Sequence, residues 1–196
     1  PAWHLLKPEN YFQDYFTGLG LGGSRNMPIL GTRGCPYQCT FCSSPTMWTT
    51  RYIMREPKKI VDEIEWLKKE YKANNFEFFD LTAIIKRSWI LEFCNELKKR
   101  KMKNVTWQLP VGTRSESLDE ETLQALYDTG CRFIKYAPES GSERSLNMIK
   151  KRVKLNRLNQ SVKAANKIGH TTSLNFIIGF PHETLVDCLK TIFFGI

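Results

Sequence analysis

The sequence has no apolar run approaching the roughly 18 residues that cross a membrane; stretches such as NFIIGF, residues 175–180, are far shorter. No charged segment followed by an apolar one opens the chain, so no secretory leader is read there. Histidine is scarce, and His4, His170 and His182 stand far apart, so no paired Cys/His half-site of the zinc-knuckle kind is present. A disulfide framework is also lacking. Three of the six cysteines, Cys94, Cys131 and Cys188, are scattered through apolar segments, which fits a reducing, cytoplasmic setting. Acidic residues are outnumbered, giving a formal net charge of +9. Most of the lysines behind that excess (Lys58–Lys59, Lys68–Lys69, Lys98–Lys103) sit on polar helix faces or ends, where solvated lysine is ordinary. Only KKRVK, residues 150–154, is a compact basic run outside a clear helix face, so a nucleic-acid partner is the minor reading of the charge.

What is present is an alternation of strand and helix signals. PILGTRG (28–34) reads as a short strand running into a loop, and residues 57–71 place Ile60, Ile64, Leu67 and Tyr71 at helical spacing behind Pro57. NFEFFD (75–80) alternates as a strand. Ser88 is the expected cap of a helix with Leu91, Cys94 and Leu97 inside. NVTWQLP (104–110) is the next strand. Ser117–Glu120 reads as a capping box for a helix that Gly130 ends. CRFIKYA (131–137) and TTSLNFIIGF (171–180) are strands on either side of a helix over 155–168, and a last helix begins at 183. Five such units imply an α/β fold of parallel strands with outer helices, curling as a partial barrel. Residues 1–26 read as a linker from an upstream domain, and 27–196 as a core domain cut before its sixth strand, with the apolar face of TIFFGI left uncovered.

In such folds chemistry gathers at the C-terminal ends of the strands. Cys35, Cys39 and Cys42 follow the first strand, Asp80 the second, Arg114 the third, Glu139 and Ser140 the fourth, Gly179 and Pro181 the fifth. Each iron of a cubane cluster takes one outside ligand, so three thiolates hold three irons and leave the fourth open. Pro36, Tyr37 and Phe41 stand within that loop and can shield the cluster from water. The rival is a structural zinc ion with a remote fourth ligand.

CPYQCTFC, with an aromatic residue before its last cysteine, resembles the radical S-adenosylmethionine (SAM) enzymes. RYIMREPKKIVDEI, TRSESLDEETLQALYDTGC, APESGSERSL and NFIIGFPHET resemble its cobalamin-dependent branch, proteins similar to the anaerobic magnesium-protoporphyrin IX monomethyl ester cyclases. The resemblance covers residues 27–196 and implies a (β/α)6 TIM-like barrel. It implies a [4Fe-4S] cluster on Cys35, Cys39 and Cys42 and SAM on the open iron. One electron from a flavodoxin- or ferredoxin-type donor would then cleave SAM to methionine and a 5′-deoxyadenosyl radical. By family position, Tyr37 and Phe41 would lie against cluster and adenine, Asp80 near the SAM amine and Arg114 near its carboxylate. Glu139 and Ser140 would meet the ribose or ammonium, and Gly179 and Pro181 the adenine. Cobalamin would come from a domain upstream, and the substrate would be a small or lipid-like molecule, methylated, cyclised or rearranged. A tRNA methylthiotransferase shares cluster and barrel but needs a further cysteine set upstream and a nucleic-acid module downstream. A zinc-stabilised RNA-binding module is the reading from another class.

Overall fold

The computed structural model describes residues 2–12, 25–102 and 104–196. In chain order its elements are β1 (Asn26–Ile29), β2 (Thr32–Arg33), α1 (Ser44–Trp48), β3 (Ile53–Met54), α2 (Pro57–Tyr71), β4 (Asn75–Phe78) and α3 (Arg87–Lys99). Then follow β5 (Thr106–Thr113), α4 (Glu120–Asp128), β6 (Cys131–Glu139), α5 (Glu143–Met148), α6 (Leu155–Ile168), β7 (Thr171–Phe176) and α7 (Leu185–Phe194). Five strands form one sheet in the order β1-β4-β5-β6-β7, with every neighbouring pair parallel. Each step along it crosses over through at least one helix, as parallel pairing demands. The expected α/β architecture of parallel strands with outer helices is therefore present. Among the described residues no helix is long and apolar enough to cross a membrane.

Helix α2 forms where its period places it, burying Ile60, Val61, Ile64 and Leu67 on one stripe behind Pro57 at the first turn. Two caps differ from expectation. Lys86, not Ser88, precedes α3, and no side chain caps it. At α4 the cap is Asp119, whose carboxylate accepts from the Thr122 amide at 2.8 Å. Ser117 instead donates to the Ile85 carbonyl at 2.6 Å, because the chain is still crossing to the helix there. The helix-facing side of the sheet carries Phe76, Phe78, Trp107, Leu109, Ile134 and Tyr136, all buried. Phe78, Phe93 and Trp107 meet edge to face at 5.4–5.5 Å between centroids, a favoured aromatic geometry. Trp89 and Trp107 are core, whereas Trp48 and Trp66 are more than a third exposed.

Of the linker expectation over 1–26, residues 13–24 lie outside the described residues. Residues 2–12 lie on the domain: Trp3 donates to Glu63 at 3.2 Å, and Trp3 and Phe12 pack against the main core.

On the opposite face of β1, β4 and the start of β5 polar side chains line up, since strand side chains alternate. Asn26, Asn75 and Thr106 form one hydrogen-bonded row, and Gln108 donates to Glu77 at 2.7 Å in the next. Burial pushes the Glu77 carboxyl above its usual range, with the Gln108 bond opposing. Its charged form is therefore disfavoured by folding, and stability falls as pH rises from about 4.3, the unfolded value, toward the raised folded value. The buried Gln108 Oε1 has no partner. Glu77→Gln keeps the acceptor, removes the charge and offers that oxygen a donor. Chemical denaturation is expected to show a gain of about 1 kcal/mol at pH 7 that disappears at pH 4.

Candidate metal and cofactor site

The cysteine loop is built by a short clamp. After β1 the chain turns so that the Gly31 amide donates to one Asp80 carboxylate oxygen at 3.1 Å, and the Thr32 amide and hydroxyl donate to the other. Asp80, just beyond β4, thus ties the start of the loop to the sheet. The antiparallel ribbon of β2 and β3 then pairs Thr32 with Met54 and Arg33 with Ile53, closing residues 34–52 into an excursion. Gly34 starts it at φ +85°, and a Cβ there would lie 2.0 Å from the Arg51 carbonyl oxygen. Gly34→Ala is expected to cost about 2 kcal/mol or more and to lower iron uptake on reconstitution, measured by thermal melting and iron analysis. Inside the loop, the Thr40 amide donates to Ile149 at 3.0 Å and the Cys42 amide to Cys39 at 3.1 Å. The Cys42 sulfur accepts from the Ser44 amide at 3.4 Å.

Cys35, Cys39 and Cys42 line one cavity of about 140 Å³. Its other walls come from strand ends: Leu81 and Thr82 after β4, Val111–Arg114 at β5, Ala137 and Glu139 at β6, with Lys151 beside them. Larger hollows lie elsewhere, about 800 Å³ between α4 and α6 and about 610 Å³ beside Lys150–Arg152. Neither contains a cysteine, so chemistry and not size selects the site. All six cysteines are free thiols.

Of the residues expected here, Tyr37, Phe41, Arg114 and Glu139 share that cavity with the cysteines. The Arg114 guanidinium stacks on the Tyr37 ring at 3.8 Å. It also donates to both Glu116 oxygens, at 2.9 and 3.3 Å, and to the Arg152 carbonyl. Glu139, at φ 71°, accepts from Lys151 Nζ at 3.0 Å. Asp80 and Ser140 are not brought into the wall. Asp80 is spent on the loop, and burial pushes its carboxyl up despite the bonds from Thr32 and Gly31 that pull it down. Ser140 is wholly buried, bonded to the Thr191 hydroxyl at 2.9 Å and the Ser142 amide at 3.1 Å, and so ties β6 to α7. Gly179 and Pro181 are exposed outside the wall. Phe180 between them turns in and meets the Phe41 ring at 5.4 Å.

Sequence reasoning missed Lys151, Thr82 and Thr113. The two threonine hydroxyls are buried, line or flank the cavity and have no partner. Unpaired buried hydroxyls are costly, and both of these residues stand in the wall of the cysteine cavity. Burial pushes the Cys35 and Cys39 thiols up, while Arg114 and Lys151 pull them down toward the thiolate that a metal requires. A single zinc ion needs its ligands within about 2.3 Å of one point. Among the described residues, no three His, Cys, Asp or Glu side chains converge that way. A cubane takes each thiolate on a separate iron, and three thiols spread around one cavity fit that demand.

Over residues 29–195 the chain matches the profile of the radical SAM superfamily. It belongs to that superfamily. Radical SAM proteins use a [4Fe-4S] cluster with SAM. The chain is 32% identical over 184 residues to anaerobic magnesium-protoporphyrin IX monomethyl ester cyclase of Rubrivivax gelatinosus, covering 94% of this chain and 32% of that protein. It is 31% identical over 183 residues to cytidylyl-2-hydroxyethylphosphonate methyltransferase of Streptomyces wedmorensis, covering 92% and 34%. The chain thus spans about a third of the length of these relatives. Among solved structures, the radical SAM methyltransferase TsrM of Kitasatospora setae superposes with a TM-score of 0.80 at 20% identity, covering 96% of this chain and 35% of that one. A second TsrM structure holds cobalamin and a [4Fe-4S] cluster. At that identity the likeness establishes the radical SAM fold.

Proposed function

We propose that this radical SAM core performs cluster-dependent reductive cleavage of SAM, working with cobalamin held by an upstream domain to methylate, cyclise or rearrange a small organic molecule. The observation that carries the proposal is one cavity at the strand ends that gathers three thiols, two unpaired hydroxyls and a carboxylate–ammonium pair. When bound, the cluster supplies one electron to the SAM sulfonium, which breaks a carbon–sulfur bond.

The chain's own residues hold, orient and exclude. Cys35, Cys39 and Cys42 are the cluster ligands. Tyr37, clamped under Arg114, and Phe41, backed by Phe180, cover the loop against water. Thr82 and Thr113 offer hydroxyls, and Glu139 a carboxylate, to the polar groups of SAM. Arg114 supplies a fixed positive charge; Asp80 and Ser140 act at a distance by fixing the loop and the β6 end. Residues 1–26 serve as the connection to the upstream domain, and a low-potential protein donor in the cytoplasm provides the electron. Cobalamin use is supported by the TsrM structure that holds cobalamin with a [4Fe-4S] cluster and by the resemblance of the sequence phrases to the cobalamin-dependent branch.

The test is anaerobic reconstitution of the full-length protein with iron and sulfide, followed by SAM and dithionite. Four irons per chain and release of 5′-deoxyadenosine or a methylated product are expected. A protein that holds zinc and takes up no iron or sulfide would refute the proposal, and salt-sensitive RNA binding by that zinc form would favour a binding module.

A further inference from the structure

We propose that Lys151 is a positioning residue for the cluster: its sequestered ammonium, anchored by Glu139 beside the three thiols, makes the bound cluster easier to reduce. The inference rests on the reading of Cys35, Cys39 and Cys42 as ligands given above.

Lysine is seldom buried without a partner, because its compact ammonium is strongly hydrated. Here the Lys151 side chain is 9% exposed and the Glu139 side chain 11%, with Nζ and Oε1 3.0 Å apart. The arrangement is built into the backbone on both sides. Lys150 lies at φ 54° and Glu139 at φ 71°, a region that side-chain-bearing residues seldom occupy. The Lys151 amide donates to Leu146 at 2.9 Å, and its carbonyl accepts from Val153 at 2.8 Å. The chain therefore reverses after α5 and directs this one lysine of the KKRVK run inward, while Lys150, Arg152 and Lys154 stay exposed. Lys151 stands in the wall of the cysteine cavity and also of the basic hollow outside it.

The second cation at the site, Arg114, is already matched by Glu116 and the Arg152 carbonyl. Among the described residues, the Lys151 ammonium pairs with Glu139 alone, and it stands in the same cavity wall as the three thiols. Reduction adds a negative charge to a cluster already carrying three thiolates. Net charge, hydrogen bonds to sulfur and exposure set such potentials, and a fixed cation in a poorly solvated wall favours the reduced form. Glu139 acts with the opposite sign while holding the cation in place.

The test is an EPR-monitored dithionite titration of the reconstituted full-length protein without SAM, so that SAM binding does not enter. Lys151→Met is expected to disfavour reduction at least tenfold, a midpoint fall of about 59 mV for one electron, with iron content unchanged. Lys151→Arg restores most of the shift, and Glu139→Gln moves the midpoint upward. A role confined to packing would not give opposite signs for the two partners. Should the methionine variant bind less iron, Lys151→Gln, which retains a bond to Glu139, carries the comparison. An unchanged midpoint in a fully loaded Lys151 variant, or shifts of the same sign for both partners, overturns the inference while leaving the cluster assignment standing. A wild-type protein that takes up no cluster fails earlier, at iron analysis, and removes both.

Discussion

Cys39→Ala is expected to abolish the brown absorbance of the reconstituted cluster and to cut 5′-deoxyadenosine formation by at least about a hundredfold, above the usual loss from disturbing a mere supporting partner. The thiol is buried in the cavity wall, on a segment fixed by the bond from Thr40 to Ile149. No other cysteine is within the loop to replace it once Cys35 and Cys42 are committed to their own irons. Cys94→Ala is the matching control. That thiol lies in α3 among the core side chains, with burial pushing it up to about 11 and the Thr129 hydroxyl 3.5 Å away. Its loss leaves a small hole costing about 1 kcal/mol, and iron content should stay at the wild-type value. Full SAM cleavage by Cys39→Ala would remove the ligand assignment.

That contrast was legible in the sequence because loop and helix differ in pattern. Gly34 and Pro36 put Cys35 outside any periodic segment, whereas Cys94 falls in step with Leu97. Helix α2 and the central strands were legible for the same reason: one face of each must be apolar, and the period shows which. The misses share a different cause. β2 and β3 are two residues each, and α1 and α5 are five and six, too short for any period to register. Lys151 was read as one charge of the compact basic run at 150–154, because only the reversal after α5 separates it from its neighbours. Ser140 was expected at the cofactor from its place at a strand end. Its hydroxyl instead belongs to a tertiary contact with α7, 51 residues further on, that no local pattern contains.

Asp80 shows the same limit with a larger consequence. The sequence places it at the mouth of the barrel, and the fold then uses both its oxygens for the turn that launches the cysteine loop. Asp80→Ala strips the acceptors from the Gly31 and Thr32 amides, in a region where Asp80 is 2% and Thr32 5% exposed. Each buried donor left unpaired costs about 1–3 kcal/mol. The total loss is expected at about 3–5 kcal/mol, reduced somewhat because a disfavoured buried charge is removed as well. Asp80→Asn separates the two roles. Its single carbonyl oxygen satisfies one side of the turn, while its NH₂ faces a donor on the other, so roughly half of the loss should remain. Because the loop carries all three thiols, iron uptake should fall with stability across the series. A carboxylate needed only for SAM would leave melting temperature and iron content at wild-type values while weakening SAM binding, and that outcome would return Asp80 to the cofactor.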